Sequence, residues 1–169
     1  MRASNAVGGC MAERSTTPGS ENDRGAIENL LARYCELFDS GDMDGYVALF
    51  TDAHIANQFA TSKGPEELRA FFERNGLFYD GLPHTRHVIS NLHIEVADDG
   101  ANAKARSYVT VFQALTDFPL QPVFIGQYQD ELVKVDGQWR FSARACEPYL
   151  AGDLSRHARE YPPPGPVVV

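Results

Sequence analysis

Positive charge, cysteine and long apolar runs are all scarce in this chain. Lysine and arginine number 15 against 23 aspartates and glutamates, a formal net charge of −8. A surface of that sign repels phosphate backbones and anionic lipid, so no nucleic acid and no membrane is expected as a partner. No run approaches the ~20 consecutive apolar residues of a membrane-spanning helix. The cysteines, Cys10, Cys35 and Cys146, are odd in number and irregularly spaced. They build no disulfide framework, so a reducing cytoplasm is the expected setting. A Ser or Cys nucleophile motif, a phosphate loop and a dinucleotide fingerprint are also missing, so no cofactor is expected. No metal is expected either. His84 and His87 point to opposite faces of a regular strand, and no Cys or carboxylate stands at ligand spacing from them or from His93.

What remains is enough for one packed domain. A chain of 169 residues has the length of one domain and hides roughly two-thirds of its unfolded surface on folding. Its hydrophobic and charged fractions, 43% and 22%, are those of a globular protein. Residues 1–20 are small and polar and are expected to be a disordered tail. They contain VGGC, similar to a lipoprotein cleavage site, but only MRASNA precedes it in place of an apolar segment, so no signal peptide is read. Met11 is an alternative start to Met1. The folded domain is expected over 21–150. The extension 151–169 ends in EYPPPGPVVV, whose prolines demand an extended tail.

Three helices are expected first. In residues 21–42, Ile27, Leu30, Leu31, Tyr34 and Phe38 recur at helical spacing, and Gly41 follows the end. DMDGYVALF makes a short second helix with Tyr46, Leu49 and Phe50 inward. GPEELRAFFERNG makes a third, with Pro65 in the first turn, Glu66 and Glu67 on its positive end and Gly76 as the stop. HIANQFAT between them reads as one short strand. After residue 84 the pattern is β: TRHVISNLHIEV, then ANAKARSYVTVFQAL, a loop holding Pro119 and Pro122, then VFIGQYQDELVKV and QWRFSARAC, the last two joined at the hairpin signal Asp136-Gly137. The fold class is α+β, with helices on one face of a curved antiparallel sheet.

Three polar residues stand out. His87 shares strand parity with Thr85, Ile89 and Asn91 in an apolar strand. Tyr34 lies on the stripe of the first helix. Asp39 ends that helix, at the negative end of its dipole, ~140° round from Tyr34 on a regular helix.

AIENLLARYCELFDSGDMDGYVALFTDAH, HTRHVISNLHIEVADDGANAKARSYV and GQYQDELVKVDGQWRFS together resemble the SnoaL-like branch of the nuclear transport factor 2-like superfamily. Its scytalone dehydratase, bile-acid 7α-dehydratase and hexachlorocyclohexane dehydrochlorinase are similar here. The resemblance covers about residues 22–150. It is specific at Tyr34 with Asp39 and at His87 with Asn91. It implies a cone-shaped curved sheet (an α+β barrel, cystatin-like) closed by three helices over an apolar cavity. It also implies that Asp39 and His87 form a catalytic dyad there; the acid for a leaving hydroxide could be Tyr34 or the newly protonated His87. The match to scytalone dehydratase is incomplete. That enzyme has a tyrosine at the place of Phe38, a second histidine near Phe112 or Gln113, and an asparagine near Tyr128. Scytalone itself is therefore not the expected substrate.

The physical logic of such a dyad is independent of the family. A carboxylate on one imidazole nitrogen fixes the tautomer and makes the other nitrogen more basic. In an apolar cavity that nitrogen can take a proton next to a carbonyl. Asn57, Thr110 and Tyr128 are expected inward, able to hold a developing enolate oxygen. Phe38, Phe50, Phe112, Phe124 and Trp139 point to a bulky, mostly apolar substrate. The leading reading is a dehydratase, that is, an eliminating lyase. An isomerase or cyclase of a polyketide-like or terpenoid-like metabolite in the same cavity stays open, as does a non-catalytic binding or subunit module. A homodimer or homotrimer is expected. Residues 147–160, with Tyr149 and Leu150, are expected to fold back over the cavity mouth.

Overall fold

The structure is a computed structural model, and it describes residues 18–57 and 60–160. The expectations for residues 1–17 and 161–169 lie outside the described residues. The element order is α1 (Pro18–Asp39), α2 (Met43–Ala48), β1 (His54–Ala56), β2 (Thr61–Lys63), α3 (Gly64–Asn75), β3 (Thr85–Val96), β4 (Asn102–Leu115), β5 (Phe118–Val135) and β6 (Gln138–Ala151). The six strands form one curved, unclosed sheet in the order β2-β1-β6-β5-β4-β3. The class is α+β, as expected.

α1 buries Ile27, Leu31, Tyr34, Leu37 and Phe38 in one core cluster with Val109, Val111, Leu132 and Phe141 of the sheet. Full burial of each aliphatic side chain is worth about 1.5–3 kcal/mol, so this stripe secures α1 to the sheet. The helix stops in a Schellman motif. Asp42 N–H donates to Leu37 O and Gly41 N–H to Phe38 O, both at 3.0 Å. Gly41 has φ +76°, and a Cβ there would lie 2.6 Å from Gly81 O, so only glycine fits. That stop places Asp39 on the last turn, beside β3.

Several expectations needed correction. HIANQFAT is not one strand: β1 and β2 form a small antiparallel pair, and β1 runs parallel to β6. The loop expected around Pro119 and Pro122 is the start of β5. Its ladder with β4 breaks register between Val111 and Phe112 and again between Gln113 and Leu115, and prolines are tolerated at such irregularities. β6 continues past Cys146 to Ala151. In β3 the parity expected for Asn91 fails. Asn91 has φ +51° and sits in a bulge between Ser90 and His93. Thr85, His87 and Ile89 face inward, whereas Asn91 is exposed and Leu92, Ile94 and Val96 take over the inner side. Asp136 and Gly137, at φ +50° and +76°, make the expected two-residue hairpin.

Candidate active site

The concave side of the sheet and the helices enclose a cavity of about 820 Å³. Its apolar wall includes Phe38, Phe71, Phe72, Phe78, Ile55, Val111 and Phe124. Phe71 and Phe72 follow Leu68 on α3. Leu68 is buried, and the two aromatic rings are left partly uncovered where they meet the cavity. The polar lining includes Tyr34, Tyr46, Asn57, His87, Tyr128 and His157.

Asp39 and His87 are in direct contact. His87 Nδ1 lies 2.7 Å from Asp39 Oδ1. The same carboxylate accepts from the Thr85 hydroxyl at 2.7 Å and from the His87 backbone N–H at 2.8 Å. Three donors therefore compensate a charge that the end of α1 alone disfavours. Burial works to raise the Asp39 pKa, but the His87 ring, its charge, its backbone N–H and Thr85 together outweigh it and hold the carboxyl below the ordinary 3.8. With Nδ1–H donating to Asp39, the tautomer leaves Nε2 as a lone pair. The ring of Phe38 meets the imidazole edge-on at 5.2 Å between centroids.

Tyr34 lies deeper. Its oxygen accepts a hydrogen bond from the Tyr46 hydroxyl at 2.9 Å. Burial pushes its pKa up, with the neighbouring Arg144 charge pulling the other way, so the phenol keeps its proton. The thiol of Cys146, also in the cavity wall, is pushed up to about 12 by burial and is no nucleophile at neutral pH.

Of the residues expected to line the cavity, Phe38, Asn57, Tyr128 and Phe124 stand on its wall and four others do not. Thr110 and Phe112 face outward. The inner side of β4 is instead Ala103, Ala105, Ser107, Val109, Val111 and Gln113. Lys104 and Arg106 share parity with Thr110 and Phe112, and those charges were the signal for an outer face. Phe50 is fully buried beneath the cavity, stacked on Phe141 at 5.1 Å. Trp139 donates its indole N–H to Asp23 of α1. Tyr149 and Leu150 also point outward, on the far side of β6 from the cavity. What the sequence reading missed is His157. It comes from the coil after β6, where no periodicity marks an inward position.

The profile of the SnoaL-like domain family matches residues 20–145. The chain belongs to this family. Among solved structures, it is 28% identical to a Novosphingobium aromaticivorans protein provisionally described as a scytalone dehydratase (TM-score 0.68, covering 82% of this chain and 91% of that one). It is 27% identical to a Mycobacterium tuberculosis protein of unknown function (TM-score 0.65, 79% and 77% covered). It is also 27% identical to a Nostoc punctiforme protein of unknown function with a cystatin-like fold (TM-score 0.63, 75% and 91% covered). No curated protein matches the chain. This SnoaL-like chain therefore stands among cofactor-independent enzymes and ligand-binding modules of one shape. Among the described residues no helix is long and apolar enough to cross a membrane.

Proposed function

We propose that this SnoaL-like protein is a cofactor-independent acid–base enzyme, a dehydratase acting on a bulky, mostly apolar small molecule. The observation that carries the reading is the 2.7 Å contact between His87 Nδ1 and Asp39 on a ring that lines the apolar cavity. In the proposed reaction Nε2 of neutral His87 removes a proton from carbon next to a carbonyl. Asp39 stabilises the imidazolium that results. The electron pair moves toward the carbonyl oxygen and then forms the carbon–carbon double bond. The leaving hydroxyl departs as water, taking its proton from His87 or from Tyr34.

An isomerase or cyclase is the second reading. It is favoured by the depth of Tyr34, whose burial and contact with Tyr46 suit it better to holding an enolate oxygen than to escorting a leaving group. A purely binding role gives no reason for a half-buried carboxylate that accepts three bonds around one imidazole. The same proposal includes a cytoplasmic homodimer or homotrimer. Val88, Tyr108, Tyr149 and Leu150, each 40–48% exposed on the outer sheet face, form the surface for pairing, and sedimentation velocity tests it.

The test of the chemistry is product analysis. Aromatic and alicyclic β-hydroxy ketones are incubated with the protein and with His87→Ala, and products are read by mass spectrometry. Loss of water that requires His87 supports the dehydratase. A new product of unchanged mass supports the second reading. Deuterium-free substrate recovered from heavy water, with no product, contradicts both.

A further inference from the structure

The family match ends at residue 145, but the cavity wall does not. His157, Ala158, Arg159 and Glu160 also line it. After β6 the chain turns at Gly152, whose N–H donates to Val123 O at 2.9 Å, and reaches the cavity mouth. It is fastened on two sides. On the α3 side, Leu77 N–H donates to His157 O at 3.2 Å and Arg159 N–H to Asn75 O at 2.8 Å. On the other, the Gln113 amide and the Tyr79 hydroxyl both donate to Arg156 O, at 2.9 and 3.0 Å. The Gln113 side chain is buried and also holds Pro83 O at 3.0 Å. These anchors use the backbone of residues 156–159 and leave the His157 ring on the cavity wall.

The two imidazoles of the cavity are unlike. His87 has a carboxylate partner. His157 has none among the described residues. Burial, with the charge on His87 as the second cause, pushes its pKa down to about 4. It is neutral when His87 works, with one ring N–H to give. When His87 takes a carbon-bound proton, negative charge appears on a substrate oxygen inside an aromatic-lined space. A neutral donor suits that oxygen better than a cation, because a second positive charge would repel the His87 imidazolium.

We propose that His157 is the second working imidazole of this site, supplied by the C-terminal strap, and that its neutral ring hydrogen-bonds the substrate oxygen on which charge develops. The proposal rests on the acid–base reading of His87 and narrows the substrate: an apolar body carrying a ketone or phenol-like oxygen. The proton goes from substrate carbon to His87 Nε2 and leaves His87 with the departing hydroxyl as water, so no co-reactant is needed.

The probe is 4-nitrophenol, an apolar ring with one ionisable oxygen whose ionisation is visible by absorbance. Full-length protein should bind it as the phenolate, with the proton on His87. His157→Phe keeps a ring but lacks the N–H. It should weaken binding about tenfold or more and shift the bound probe toward the neutral phenol, and His157→Gln should restore most of both. Nitrogen-15 NMR of the wild type should show the His157 ring responding to the probe while staying neutral, as His87 becomes imidazolium. If His157→Phe binds and ionises the probe like wild type while His87→Ala does not ionise it, the strap histidine is packing and the His87 reading survives. If neither variant changes the probe, the acid–base reading falls as well. No binding by wild type at millimolar probe, or no response of the His157 ring to bound probe, also overturns the inference.

Discussion

Arg144 and Asp130 face each other in register on β6 and β5, with Nε and Nη2 donating to the two carboxylate oxygens at 2.6 and 2.8 Å. Both side chains are fully buried. The guanidinium carbon sits 4.0 Å from the ring centroid of Tyr34 and 4.1 Å from that of Tyr128. The remaining nitrogen, Nη1, has no hydrogen-bond partner among the described residues, and the ring faces are its compensation. The ion pair thus supports both cavity tyrosines and ties α1 to the sheet. Breaking it on one side strands a buried charge. Asp130→Asn should destabilise the protein by about 3–5 kcal/mol, whereas the double change Asp130→Leu with Arg144→Met should recover most of that. Urea midpoints of the three proteins measure it. A single variant as stable as wild type contradicts this account.

The catalytic proposal implies an order among three variants. His87→Ala should abolish nearly all turnover without unfolding the protein. Asp39→Asn keeps the shape but removes the charge, and by analogy with a serine-protease triad it should cost about two to four orders of magnitude in kcat. Tyr34→Phe should be mildest, since the His87 imidazolium can return the proton itself. Steady-state rates with the substrate found by product analysis give the ranking. If Tyr34→Phe proves the most damaging, the tyrosine carries the chemistry instead.

Asp39 also has a signature in stability. Its folded pKa lies below the ordinary 3.8, so its contribution is complete above that value and is lost as pH falls through the folded one. As pH falls below about 4 the wild type should therefore lose more stability than Asp39→Asn. Denaturant titrations across that range give the two slopes, and parallel curves would contradict the dyad's role in stability.

The strap should respond to acid with the opposite ionic logic. His157 titrates at about 4 in place of 6.5. The released strap therefore binds a proton that the docked one refuses. Docking is complete above pH 6.5, weakens down to about 4, and loses nothing further below that. Proteolysis within 152–160 should rise over that window in wild type and stay flat in His157→Gln. His87, whose charge acts in the same direction, and the nearby carboxylates Asp117, Asp153 and Glu160 are present in both proteins, so the comparison isolates His157. The strap is also proposed as a cover. Truncation after Ala151 should leave cooperative unfolding intact and weaken 4-nitrophenol binding, and unchanged binding would end that idea.

Most elements could be read locally. The stripe from Ile27 to Phe38, Pro65 with Glu66 and Glu67, the span of β3 and the Asp136-Gly137 turn each rest on relations between residues a few positions apart, and each appears where expected. Asn91 marks the limit of that method. One left-handed residue reverses the facing of everything after it, and strand periodicity carries no trace of the change. Thr110 and Phe112 differ: both were expected inward, although Lys104 and Arg106 on the same parity pointed to the outside.

The sequence by itself determined the class of fold, the order of its helices and long strands and, through a family resemblance, the pairing of Asp39 with His87. These follow from local periodicity, from helix-end and turn chemistry, and from motifs short enough to recognise. Tertiary structure alone decided that Arg144 and Asp130 meet beneath Tyr34 and Tyr128, that Trp139 and Phe50 stand away from the cavity, and that His157 returns to its wall. Each depends on how the curved sheet, the helices and the C-terminal segment pack together, which no periodicity along the chain encodes.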